Sequence, residues 1–70
     1  MIEYGKAVRV GRAFAGITQT ELARRIGKDA SYISRIEAER RSPSLATLEK
    51  IAAALSLEVY QLLRLGKRLE

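Results

Sequence analysis

The sequence predicts an all-α domain of five short helices, and three observations carry that reading. Apolar residues recur at three- and four-residue spacing in five separate segments, Gly, Pro and Ser fall between those segments, and no stretch alternates apolar and polar residues as a half-buried strand does. Residues 1–70 are expected to form a single domain, because a chain of this length buries only about 60% of its unfolded surface and leaves no room for a second core.

The first segment covers about residues 2–15, and Gly16 follows as a natural left-handed stop. The second covers residues 18–26. Thr18 and Glu21 have the spacing of a capping box, in which the hydroxyl accepts from the amide three residues on and the carboxylate reaches back to the amide of Thr18. Gly27 ends that helix. The third is expected over residues 29–38, with the Asp29 carboxylate taking free amides at the positive end of the helix dipole. The stretch ERRSPS reads as a loop, since Pro43 is excluded from a helix interior, and the fourth helix covers residues 45–55 with either Ser42 or Ser44 as its cap. The fifth covers residues 58–65, and the tail GKRLE is expected to fray.

Composition narrows the chemistry. With no Cys and no His, the chain lacks a thiolate, a disulfide framework, the usual general base and the commonest transition-metal ligands, so no metal, no cofactor and no catalysis are expected. No apolar run approaches the roughly 20 residues of a membrane span, and the first residues contain no uninterrupted apolar run of the signal-peptide kind; a cytoplasmic protein that does not engage a membrane is the expectation. Thirteen Lys and Arg against eight Asp and Glu give a net charge of +5, which favours a polyanionic partner. Residues 1–41 hold nine basic and five acidic side chains, and residues 42–70 hold four and three, so the first half is the better candidate for the polyanion-facing side.

The informative stretch is TQTELARRIGKDASYISRIE, where a helix, a glycine turn and a second short helix follow one another. Two helices that cross steeply over so short a turn need a small residue at the crossing and a backbone that tolerates positive φ; Ala23 and Gly27 meet those demands. Leu22, Ile26, Ile33 and Ile36 then supply the apolar underside, which leaves the opposite face free.

At these residues the sequence resembles the lambda-repressor-like helix-turn-helix family, also called the Cro/repressor or xenobiotic response element type, over nearly its whole length. The resemblance rests on Gly16, Thr18, Gln19, Leu22 and Ala23, then Gly27, then Tyr32, Ile33, Ser34, Ile36 and Glu37, and finally Pro43, Ser44, Leu45, Thr47, Leu48, Lys50, Ile51, Ala52, Ala54 and Leu55. It implies a five-helix domain whose second and third helices form the helix-turn-helix, with the third entering the major groove of double-stranded DNA, and many such proteins act as dimers on two half-sites. Restriction-modification controller proteins, little more than the bare domain, are a close comparison in size. Two departures stand out: Ser56 where a glycine commonly follows the fourth helix, and Arg40 where a glycine or small residue commonly follows the third.

Helical geometry and the resemblance together assign roles. Ile33, Ile36 and Glu37 share one face of the third helix, so Ala30, Ser31, Ser34 and Arg35 share the outward one and are the candidates for base-edge contact. Arg35 leads, because a guanidinium bonds both O6 and N7 of guanine. Ala30 and Ser31 are small enough to admit close approach, or are simply helix-start residues. The resemblance places Gln19 on a backbone phosphate, and Lys28, Tyr32, Arg40 and Arg41 flank the third helix as further phosphate candidates. It also sets Arg12 against Glu37 as a partly buried ion pair between the first and third helices. Arg24 and Arg25 read as a solvated helix face. The fifth helix carries more apolar surface than one-sided packing needs, and Val59, Tyr60 and Leu63 are the candidates for a homodimer contact.

Transcription regulation, repressor-like, by a dimer on a pseudo-palindromic operator is the leading expectation. A protein-interaction module such as an antitoxin or a transcription adaptor is the alternative, because the same fold serves both.

Overall fold

The computed structural model describes residues 1–67. Within them the chain forms α1 (Tyr4–Ala15), α2 (Gln19–Arg25), α3 (Ala30–Glu37), α4 (Leu45–Ala54) and α5 (Val59–Leu65), the all-α, five-helix class that the sequence predicts. Three helices begin on a side-chain cap. Thr18 accepts from the amide of Glu21 at 3.0 Å, Asp29 from the amide of Tyr32 at 2.9 Å, and Ser44 from the amide of Thr47 at 3.2 Å. Of the two serines beside Pro43, then, Ser44 is the cap, and Pro43 itself is buried.

Three details depart from expectation. Ile2 is not helical: Glu3 is the extended N-cap of α1, its amide donates to the carbonyl of Gly66 at 2.8 Å, and Ile2 forms an isolated antiparallel bridge with Lys67. The start of the tail is consequently docked, with Gly66 buried; the rest of that expected frayed segment lies outside the described residues. The capping box at α2 is one-sided, because the Glu21 carboxylate turns to Arg24 and Arg25, whose guanidinium groups offer stronger, charged donors than a backbone amide does. At the end of α3, Glu39 adopts the left-handed conformation at φ 61°.

The core is one cluster under all five helices. Val8, Leu22, Ile33, Ile36, Ile51 and Leu62 are fully buried, and burial of side chains this size contributes about 1.5–3 kcal/mol each. Ala7 and Ala23 are buried in the same cluster. Between α2 and α3 the chain turns through Gly27 at φ 74°, and the amide of Lys28 closes the turn onto the carbonyl of Ala23 at 2.8 Å. Gly5 serves a different end. A side chain there would lie 2.6 Å from the carbonyl oxygens of Ile36 and Glu37, so the bare α-carbon is what lets the C-terminus of α3 rest on the start of α1.

Ser56 closes α4 at φ 61°, a conformation that costs an L-residue about 1–2 kcal/mol and glycine nothing. Allowing for glycine's larger chain entropy, Ser56→Gly is expected to stabilise the domain by about 0.5–1 kcal/mol, raising the melting temperature by about 2–8 °C in a thermal unfolding scan. An unchanged or lower melting temperature would show that Ser56 is not strained.

Candidate nucleic-acid interface

The outward face of α3 follows from its inward one. Tyr32, Ile33 and Ile36 are buried, which turns Ser31, Ser34 and Arg35 to solvent and leaves Ala30 half-exposed at the first turn. Arg35 forms no ion pair among the described residues; Glu39, one turn on, does not take it. Its guanidinium is therefore available. The hydroxyl of Ser31, by contrast, is already engaged, donating to the Asp29 carboxylate at 2.7 Å. That bond, followed by the one from the Tyr32 amide, holds the Asp29 carboxyl below its ordinary range and keeps the cap ionised.

A buried polar node fixes the other end of α3. The Glu37 carboxylate, 7% exposed, accepts from Arg12 Nε at 2.7 Å and from Arg12 Nη2 at 3.0 Å, the parallel two-bond geometry that suits a guanidinium. It also accepts from Gln19 Nε2 at 3.1 Å, while Arg12 Nη1 donates to the carbonyl of Ile17 at 3.0 Å. The hydrogen bond to Glu37 raises the Arg12 guanidinium above its ordinary value, against the lowering effect of burial. One carboxylate thus joins α1, the start of α2 and the end of α3. Gln19, a phosphate candidate by resemblance, is half-buried and held by Glu37, and its amide makes no second side-chain hydrogen bond among the described residues.

The basic candidates do not all gather in one place. Lys28 Nζ lies 5.1 Å and the Arg41 guanidinium carbon 4.8 Å from the centre of the Tyr32 ring. Arg40 is exposed and stays apart from that ring. Tyr32 is itself only 7% exposed, and its hydroxyl donates to Thr47 Oγ1 at 3.3 Å. That bond lowers the phenol below its ordinary value, burial opposes it, and Arg41 and Lys28 add to the lowering.

Two further contacts escape a reading of the sequence. Thr47 ties α3 to α4 through Tyr32, and the S-x-x-T spacing of Ser44 and Thr47 is its only local sign. Arg25, read as a solvated side chain, donates to the carbonyl of Ala54 at 3.0 Å and so braces the end of α4. Glu21, shared by Arg24 and Arg25, is pulled down to about 2 by hydrogen bonds from Arg24 first and Arg25 second.

On α5, Val59 and Leu63 are half-buried against the core, whereas Tyr60 is 60% exposed. Phe14, at the end of α1, is 80% exposed and belongs with Tyr60 among the apolar side chains without cover. No helix among the described residues is long and apolar enough to cross a membrane.

Comparison with known proteins adds the family. A family model described as helix-turn-helix matches residues 12–62. A hypothetical transcription factor of Neisseria meningitidis serogroup B is 45% identical over 56 residues, covering 80% of this chain and 53% of that protein. The restriction-modification controller protein C.AhdI from Aeromonas hydrophila superposes with a TM-score of 0.81 at 34% identity, covering 87% of this chain and 88% of that one. A crystal structure of SinR, a master regulator for biofilm formation, in complex with DNA superposes with a TM-score of 0.78 at 36% identity, covering 86% and 97%. The chain spans about half or less of the length of the curated relatives it matches first, at 53%, 38% and 22%.

Proposed function

Because the chain belongs to the helix-turn-helix family of the lambda-repressor-like type, we propose that it is a sequence-specific, double-stranded-DNA-binding transcription regulator and not an enzyme. The observation that carries this reading is the outward face of α3, where Arg35 stands unpaired on a helix capped by Asp29 at one end and pinned by Glu37 at the other. A helix fixed at both ends presents Ala30, Ser34 and Arg35 to a groove without first having to order them, and the Ser31 hydroxyl supports the cap as well as facing outward. SinR, at 36% identity, was crystallised with DNA, which favours the same use of this fold.

The proposed complex is a homodimer on a pseudo-palindromic operator in the cytoplasm, with α3 of each copy in the major groove. Gln19, Lys28, Arg40 and Arg41 contact backbone phosphates around it. Tyr60, with the outer edges of Val59 and Leu63, is the dimer contact, since it is the most exposed apolar residue of α5.

Selection of bound sequences from a random double-stranded library tests the reading. The expected product is an inverted repeat whose guanine preference relaxes in Arg35→Ala, with the variant about 5- to 150-fold weaker per half-site, as loss of a two-bond contact to guanine implies. Absence of enrichment at low salt would refute DNA recognition and point to a protein partner.

A further inference from the structure

Lys28 lies in the turn before α3 and Arg41 in the loop between α3 and α4, so the chain itself gives them no reason to be neighbours. They meet at a single aromatic ring: each has its charged group about 5 Å from the centre of Tyr32. Neither is paired with a carboxylate among the described residues, and two like charges gathered on one ring repel each other. The face of the ring, negative through its quadrupole, offsets that repulsion in part. An anion beside both cations would offset the remainder.

The ring is in turn held still. Tyr32 is 7% exposed, and its hydroxyl is committed to Thr47 Oγ1, which the Ser44 hydroxyl also meets at 3.1 Å. A phenol so placed is poorly disposed to reach a phosphate, whereas the two cations resting on it are exposed.

We propose that Tyr32 is a positioning residue: its ring assembles Lys28 and Arg41 into one clamp for a phosphodiester of the DNA backbone, and its hydroxyl locks the ring to α4 rather than touching the nucleic acid. This inference rests on the DNA-binding reading above. It converts two side chains from separate loops into a single unit of fixed geometry.

The test is the salt dependence of binding to a fluorescent duplex carrying the selected site, read by anisotropy. Each phosphate contact contributes about 0.9 to the slope of log affinity against log salt. Tyr32→Leu, which removes the ring, is expected to reduce the slope by about one per bound domain and to weaken matched and mismatched duplexes alike. Tyr32→Phe, which keeps the ring, restores most of it. A general structural lesion would lower the melting temperature without this change in slope. An unaltered slope in a folded Tyr32→Leu, or a Tyr32→Phe as impaired as Tyr32→Leu, would overturn the proposal. Should Tyr32→Leu not fold, Lys28→Gln, Arg41→Gln and their combination decide: a clamp predicts that either single variant loses nearly as much as the double, and strict additivity refutes it. Failure of the unmodified protein to bind any selected duplex would instead remove the DNA-binding reading itself.

Discussion

Glu37→Ala is expected to cost about 3 kcal/mol or more of folding stability, a fall of about 12 °C or more in melting temperature for a domain of this size. The carboxylate is almost entirely buried and accepts three hydrogen bonds, two from Arg12 and one from Gln19. Removing it strands the Arg12 guanidinium, 20% exposed, which has no other carboxylate partner among the described residues. Breaking one side of a buried pair costs about 3–5 kcal/mol for this reason, and the access of Arg12 to solvent sets the expectation at the lower end. A domain of 70 residues is stable by only about 4–10 kcal/mol in total, so the variant approaches global unfolding. Glu37→Gln keeps an acceptor of the same shape and is expected to lose less than half as much. Thermal and urea unfolding of both variants check the ordering; a shift under about 4 °C for Glu37→Ala would mean that the node is peripheral to the fold.

Binding to the selected operator is expected to weaken by about 10³- to 10⁵-fold between 50 and 200 mM salt. That range applies if the proposed dimer neutralises about 6 to 10 phosphates, and the cationic candidates in each copy are Lys28, Arg40 and Arg41, with Gln19 adding an uncharged contact. The three cations of that set are exposed and unpaired with carboxylates among the described residues, so each is available to displace counterions from DNA. Arg12, Arg24 and Arg25 are basic as well but are engaged by Glu37 and Glu21, and they should contribute little to the slope. Net charge alone would not make that distinction. Titration at four or more salt concentrations measures it, and an affinity independent of salt would exclude a phosphate-dominated complex.

What the sequence made legible was local. Thr18 and Asp29 cap their helices as expected, because a short polar side chain next to three free amides has few better options. Between Ser42 and Ser44 local chemistry was silent, and burial of Pro43 accompanies the use of Ser44. Glu21 shows local rules in competition: the capping box and two arginines three and four residues away were all visible, and the charged donors won. Where the deciding contact is distant, the sequence offered no hint. The withdrawal of Ile2 from α1 depends on Lys67, and the meeting of Lys28 with Arg41 depends on how two loops fold over Tyr32. The left-handed turn of Glu39 after α3 had no sign in the sequence, since a side-chain pattern does not mark the residue at which a helix runs out of carbonyl partners.

The clasp between Glu3 and Gly66 bears on the order in which this chain acquires its structure. Most of the domain's helix pairs adjoin in sequence or nearly so, and such short loops close quickly. The clasp joins residues from opposite ends of the described chain, so it demands the largest closure entropy of any contact in the fold. By that measure the helix-turn-helix unit can form early, and the seating of α5 against α1 completes the domain last. The proposed reading helix, α3, is then assembled from the fast, local part of the fold, while the surface proposed for pairing with a second copy belongs to the slow, long-range part. In such a scheme maturation of the subunit would precede its pairing, with the terminal clasp marking the step between them.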